Sequence, residues 1–192
     1  FVVGSAHPRT LVRGRARANE VVSLGFRTAV RVNPRVAPLE TTADGILAID
    51  VWRETGTLTV DYAKRVITIG GESPFADVPR ERFEGAPAVS VLAAGVALRA
   101  IVDTSYPGGL IIPESQRSRF SGTQVDIELK GLRTSVPLLV APVPEPRIGN
   151  ALLRHYLVMI DYPAGIVAVW PDPRSAGYFA EGTRTTPRTR AK

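Results

Sequence analysis

Ala100-Ile-Val-Asp-Thr-Ser-Tyr-Pro-Gly-Gly-Leu-Ile111 decides how the rest of the chain is read. Three apolar residues run into Asp103-Thr104, Pro107-Gly108-Gly109 supplies a turn, and Leu110-Ile111-Ile112 is apolar again. The pattern predicts a buried strand, a tight turn and a second buried strand. A carboxylate carried to the tip of such a turn needs a partner, because an unpaired charge out of water is expensive. Taken alone, an Asp here equally suits a plainer role, capping nearby amides at a surface turn.

The opening of the chain repeats the design. Phe1-Val-Val-Gly-Ser-Ala-His-Pro-Arg-Thr-Leu-Val12 lies over residues 100–111 without a gap, and sets Gly4 opposite Asp103, His7 opposite Tyr106, Pro8 opposite Pro107 and Leu11 opposite Leu110. Two further blocks recur in the same order: Gly25-Phe-Arg-Thr-Ala-Val30 as Gly131-Leu-Arg-Thr-Ser-Val136, and Val60-Asp61-Tyr62 as Ile160-Asp161-Tyr162. Three blocks at a nearly constant offset predict a tandem duplication of a unit about the size of one small domain. The expected division is a first lobe over 1–70, a Gly-, Pro- and charge-rich linker over 71–87, a second lobe over 88–172 and a flexible basic tail over 173–192. The second unit has a strand around Val89 to Ala94 that the first lacks, so the first lobe is expected to be incomplete at its N-terminus.

With the turn and its repeat in hand, the residues resemble a known family. Apolar-apolar-Asp103-Thr104-Ser105, then Arg147-Ile148-Gly149, Leu152-Leu153-Arg154-His155-Tyr156-Leu157 and Ile160-Asp161-Tyr162 look like the second lobe of an aspartic peptidase of the bacterial retropepsin-like and pepsin-like families. Asp44-Gly45-Ile46-Leu47-Ala48, Asp50-Val51-Trp52 and Thr59-Val60-Asp61-Tyr62 resemble the corresponding end of a first lobe. The resemblance spans about residues 1–172. It implies a mainly β, two-lobed fold with short helices.

It also implies a site. Such peptidases use two carboxylates, one from each lobe, sharing a single proton, so that the pair activates a water and protonates the carbonyl. Asp103 supplies one, and Thr104 matches the hydroxyl that braces the turn. Gly4 stands where the other should be, and the resemblance puts Asp44, Asp50 and Asp61 on other strands. Ser105 and Tyr106 depart from the small residues usual after Asp-Thr; with Gly4, Ser5 and His7, Tyr106 is expected to line the cleft. Losing a positioned acid–base partner costs about 10²–10⁴ in rate. The expected function is therefore binding of an extended peptide between the lobes with cleavage degenerate. Two alternatives stand beside it. One is an active aspartic endopeptidase, using a longer chain or a homo-oligomer that brings two Asp103 turns together. The other is an assembly module working through its basic ends.

Other chemistry is poorly supported. His7 and His155 are the only histidines and cysteine is absent, so neither a convincing zinc site nor any disulfide is available. Ser105 lies in no nucleophile elbow, Gly108-Gly109 is too short for a phosphate loop, and no cofactor is implied. Asp61 and Asp161 read as hairpin residues. The chain is 44% hydrophobic and 22% charged, as a globular protein should be, and no apolar run approaches the roughly 18 residues of a membrane span. The net charge of +6 is concentrated at the ends. Residues 1–35 carry seven arginines against Glu20 and residues 173–192 five bases against Glu181, leaving 12 bases against 16 acids between them. Basic ends suit an acidic partner or a solvated surface, but no aromatic–basic interleaving marks a nucleic-acid site. Exported, periplasmic and cytoplasmic locations all fit this composition.

Overall fold

The computed structural model describes residues 2–3, 5, 10–12, 22–25, 29–32, 35–36, 45–70 and 78–172. Gly4, His7, Asp44 and the tail 173–192 lie outside the described residues.

The chain is mainly β with short helices. Its earlier strands are β1 (Val2–Val3), β2 (Leu11–Val12), β3 (Val22–Gly25), β4 (Ala29–Val32), β5 (Arg35–Val36) and β6 (Gly45–Leu47). Helix α1 (Ile49–Thr55) follows, then the hairpin β7 (Thr57–Asp61) and β8 (Val66–Ile69). A two-residue strand, β9 (Glu81–Arg82), precedes β10 (Ala88–Ala93), β11 (Val96–Val102) and β12 (Leu110–Pro113). After a 3-10 turn over Glu114–Arg119 come β13 (Gln124–Leu129), β14 (Leu132–Ala141), β15 (Arg147–Ile148), α2 (Asn150–Leu153), β16 (Tyr156–Asp161) and β17 (Ile166–Pro171).

Local chemistry explains most of these boundaries. Along β10 and β13 buried and exposed residues alternate, the period of a half-buried strand. Ala94-Gly95 and Lys130-Gly131 take positive φ at both positions, as a two-residue hairpin turn demands. Gly25 ends β3, paired with Ala29, in a register that runs from Val22↔Val32. Helix α1 begins at Ile49, and its Val51 and Trp52 are wholly buried.

Two parts of the chain share one strand arrangement. Strands β1, β6, β2 and β5 form a sheet in that order; β10, β11, β15, β12, β14 and β13 close into a barrel. In each, a late strand is inserted between two earlier ones. β6 runs parallel to β1 and antiparallel to β2, as β15 does to β11 and β12. In each, a further strand lies parallel on the far side, β5 on β2 and β14 on β12.

The strands β8-β7-β16-β17-β9 make a third sheet that joins these parts. β7 and β16 are antiparallel, with Thr59 opposite Met159, two residues 100 apart. On either side Leu58 meets Ile160 and Val60 meets Val158, all buried in one continuous core with Trp52, Leu110, Ile127 and Tyr156. The hairpins at either end match in detail. Asp61 accepts from Lys64 N at 2.9 Å and Asp161 from Ala164 N at 3.0 Å, with Arg65 and Gly165 at φ 56° and 62°. Both aspartates cap hairpin turns.

The stretch read as a linker holds a strand. Glu81–Arg82 pairs with β17, and the Glu81 carboxylate accepts from Ser90 N and Oγ at 2.8 Å each and from Lys130 Nζ at 2.8 Å. Burial pushes that carboxyl up, but the hydrogen bonds from Lys130 and Ser90 outweigh it and hold it below its ordinary range.

His155 sets an acid limit on the fold. It is buried and its Nε2 accepts from Arg154 Nε at 3.4 Å; burial, reinforced by the Arg154 charge, pulls its pKa down to about 4. The folded state therefore resists protonation that the unfolded chain accepts near pH 6.5. Its contribution is intact above that pH and is lost as pH falls through about 4. An acid melting series should show this limb, on the order of 2–3 kcal/mol in all, flattened in His155→Gln. Parallel curves for the two proteins would contradict it.

Candidate active site

The site is assembled where β11 ends. Ala100, Ile101 and Val102 are buried and deliver Asp103 into the turn with 3% of its surface exposed. β15 and α2 then hold that turn. Asp103 N donates to Ile148 O at 2.9 Å, Gly149 N to Gly109 O at 2.8 Å, Asn150 N to Tyr106 O at 2.7 Å and Ala151 N to Gly108 O at 3.0 Å. Amides left over at a helix start normally need caps; here the turn's carbonyls serve. Gly149 is required by closeness, since an added Cβ would lie 2.5 Å from Tyr106 O and 2.6 Å from Gly108 O, with the Tyr106 ring nearer still. The ring lies over Gly108 and Gly149.

Both carboxylate oxygens of Asp103 are engaged. Oδ1 accepts from Ser105 N at 3.1 Å and Ser105 Oγ at 2.6 Å; Oδ2 accepts from Arg147 Nη1 at 3.2 Å. Arg147 is about a quarter exposed, and its Nε is buried with no partner among the described residues.

The turn is also bonded to the start of the chain. Ser5 N donates to Thr104 Oγ1 at 3.2 Å, Thr104 N donates to Ser5 Oγ at 3.1 Å, and Ser5 Oγ donates to Val102 O. Ser5 is fully buried and Thr104 nearly so. Each residue thus gives its amide to the other's hydroxyl across a separation of 99 residues.

Two tyrosines brace the crossing. Tyr162 Oη donates to Ser5 O at 3.1 Å; Tyr62 Oη donates to Asn150 Oδ1 at 2.7 Å, whose Nδ2 donates to Thr104 O at 3.0 Å. Burial pushes both hydroxyls well above the usual tyrosine range, the Asp103 charge adding to the effect and Arg53 opposing it at Tyr162. They stay protonated and remain donors. Tyr106 is shifted upward for the same two reasons, burial and then Asp103.

Asp103, Thr104, Ser105 and Ser5 are thus in one bonded cluster, with Tyr106 against its own turn. Asp50 is engaged elsewhere: its carboxylate accepts from Thr10 N at 3.0 and 2.9 Å and from Thr10 Oγ1 at 2.7 Å. Asp61 is in its hairpin cap. Sequence reasoning missed Arg147, Asn150 and the roles of Tyr62 and Tyr162. Among the described residues no group of three His, Asp or Glu could hold a metal ion. Hollows of about 500 and 780 Å³ open on the barrel wall around Leu92; neither is lined by a residue of the Asp103 turn.

No family model matches the chain, and no curated protein matches it. Among solved structures it is similar to the EIAV protease complexed with the inhibitor HBY-793, at 18% identity over 44% of this chain and 92% of that one, with a TM-score of 0.31. It is also similar to a retropepsin-like aspartic protease from Rickettsia conorii, at 15% identity over 48% and 90% of the two chains, with a TM-score of 0.38.

Proposed function

We propose that this chain is an aspartic-peptidase-like protein built from two related lobes, over 1–70 and 88–172, that holds an extended peptide between them without cleaving it efficiently. The observation that carries the reading is the reciprocal bonding of Ser5 and Thr104. If those two are equivalent positions, the residue before Ser5 answers to Asp103, and that residue is Gly4. The repeated strand order, the Thr59–Met159 pairing and the matched hairpins support the duplication behind it. At Asp103 the neighbour supplying charge is a guanidinium, so no proton-sharing carboxyl pair forms among the described residues. An extended peptide suits two β lobes, since its backbone can pair with theirs.

Cleavage of an unfolded protein at mildly acid pH tests this. The parent chain and Asp103→Asn should both stay at background, while both bind extended peptides. Acid cleavage that disappears in Asp103→Asn would instead establish an active endopeptidase, with a second carboxylate from another copy or from further chain. Failure of both to bind any extended peptide would favour an assembly module.

A further inference from the structure

We infer that Arg147 is the resident counter-ion of Asp103, and that it blocks the chemistry of a carboxyl pair independently of the residue at position 4; this rests on the two-lobed reading above. Arg147 lies on β15, an inner strand of the barrel flanked by β11 and β12. A charge placed there has to be compensated. Among the described residues its one hydrogen bond to a carboxylate is the one to Asp103, and its Nε is buried without a partner. In the other part of the chain the matching strand is β6. Ile46 pairs with Val2 there as Arg147 pairs with Ile101, and Val2 and Ile101 stand 99 residues apart. An apolar residue in one copy of the arrangement is a guanidinium in the other.

The consequence is chemical. A carboxyl pair works because two like charges in one place cannot both ionise, so one carboxyl keeps a proton to give to the carbonyl. A guanidinium within hydrogen-bonding distance cancels that repulsion and favours two ionised carboxylates, leaving no acid. Supplying a carboxylate at position 4 is then insufficient while Arg147 stays.

The experiment compares Gly4→Asp, Gly4→Asp/Arg147→Ile, Gly4→Asp/Arg147→Gln and Gly4→Asp/Arg147→Lys, each first shown by melting to be folded. Arg147→Ile copies the residue of the matching strand. Arg147→Gln removes the charge but keeps a donor, should isoleucine fold poorly. Readouts are acid cleavage of an unfolded protein and binding of a pepstatin-type inhibitor. At least one uncharged double variant should exceed Gly4→Asp by about 100-fold or more, the lower end of what a positioned acid–base group supplies. The Arg147→Lys double variant, which keeps the cation, should show no gain. A merely structural Arg147 would not separate lysine from glutamine in this way. No gain from either uncharged variant overturns the inference. Gly4→Asp cleaving as well as the double variants overturns it while leaving the two-lobed reading intact. No cleavage and no inhibitor binding by any variant removes both.

Discussion

Gly149→Ala is expected to lower the stability of the fold by about 3–4 kcal/mol, because the added methyl group has nowhere to go. Two of the three atoms it would meet, Tyr106 O and Gly108 O, are backbone acceptors that already hold Asn150 N and Ala151 N. Making room means pulling the Asp103 turn away from α2 and losing those bonds together. The backbone angle is not the obstacle. Gly149 sits at φ −117°, ψ −169°, and Ala48, at the same place before α1, adopts φ −120°, ψ −170° with its methyl group in place. For a chain of this size the loss should lower the melting temperature by about 10 °C. Truncating Tyr106 as well should recover only part of it, since the carbonyls remain. A melting point within about 2 °C of the parent would show that the turn and α2 are not packed as described.

Trp52→Ala should cost about as much or more, roughly 3–5 kcal/mol, by opening a cavity in the core. Trp52 is completely buried on α1 among the residues that join that helix to β7 and the central sheet. Its Nε1 has no hydrogen-bond partner among the described residues, so the indole contributes by volume. Trp52→Phe should therefore cost much less, about 1–2 kcal/mol, since it keeps most of the ring and removes a buried donor that nothing accepts. Chemical denaturation of the pair measures the contrast. Equal losses would mean that the indole nitrogen is bonded after all.

The strands around the Asp103 turn were legible because their signals are local. Apolar runs, Gly-containing turns and the period of β13 lie within a few residues of one another. What failed to show was anything that depends on which strands become neighbours. Arg147 stands in the quoted Arg147-Ile148-Gly149 element, and its charge is the available clue: on an inner strand it has to find a carboxylate. Tyr62 and Tyr162 follow the hairpin aspartates Asp61 and Asp161, and nothing local marks them, because their hydroxyls act at Asn150 and Ser5, 88 and 157 residues away. Ser5 was expected only to line a cleft, yet it is the residue bonded to Thr104. Its hydroxyl and that of Thr104 are interchangeable in this geometry, and an alignment by residue type gives such a pair no weight. Glu81 was lost in a Gly- and Pro-rich segment for a similar reason, its partners being on β10 and next to the β13–β14 turn.

The Thr59–Met159 pairing also bears on how the protein is made. During synthesis β7 leaves the ribosome about 100 residues ahead of β16, a delay of about 5–20 s at ordinary elongation rates. For that interval the first hairpin has β8 on one side and an open edge on the other. Closing the gap afterwards is a long-range event with a correspondingly slow search. Until then the nascent β7 edge is a template for any strand nearby, including the β16 of another chain, so crowded polysomes would favour exchange of halves between neighbouring copies.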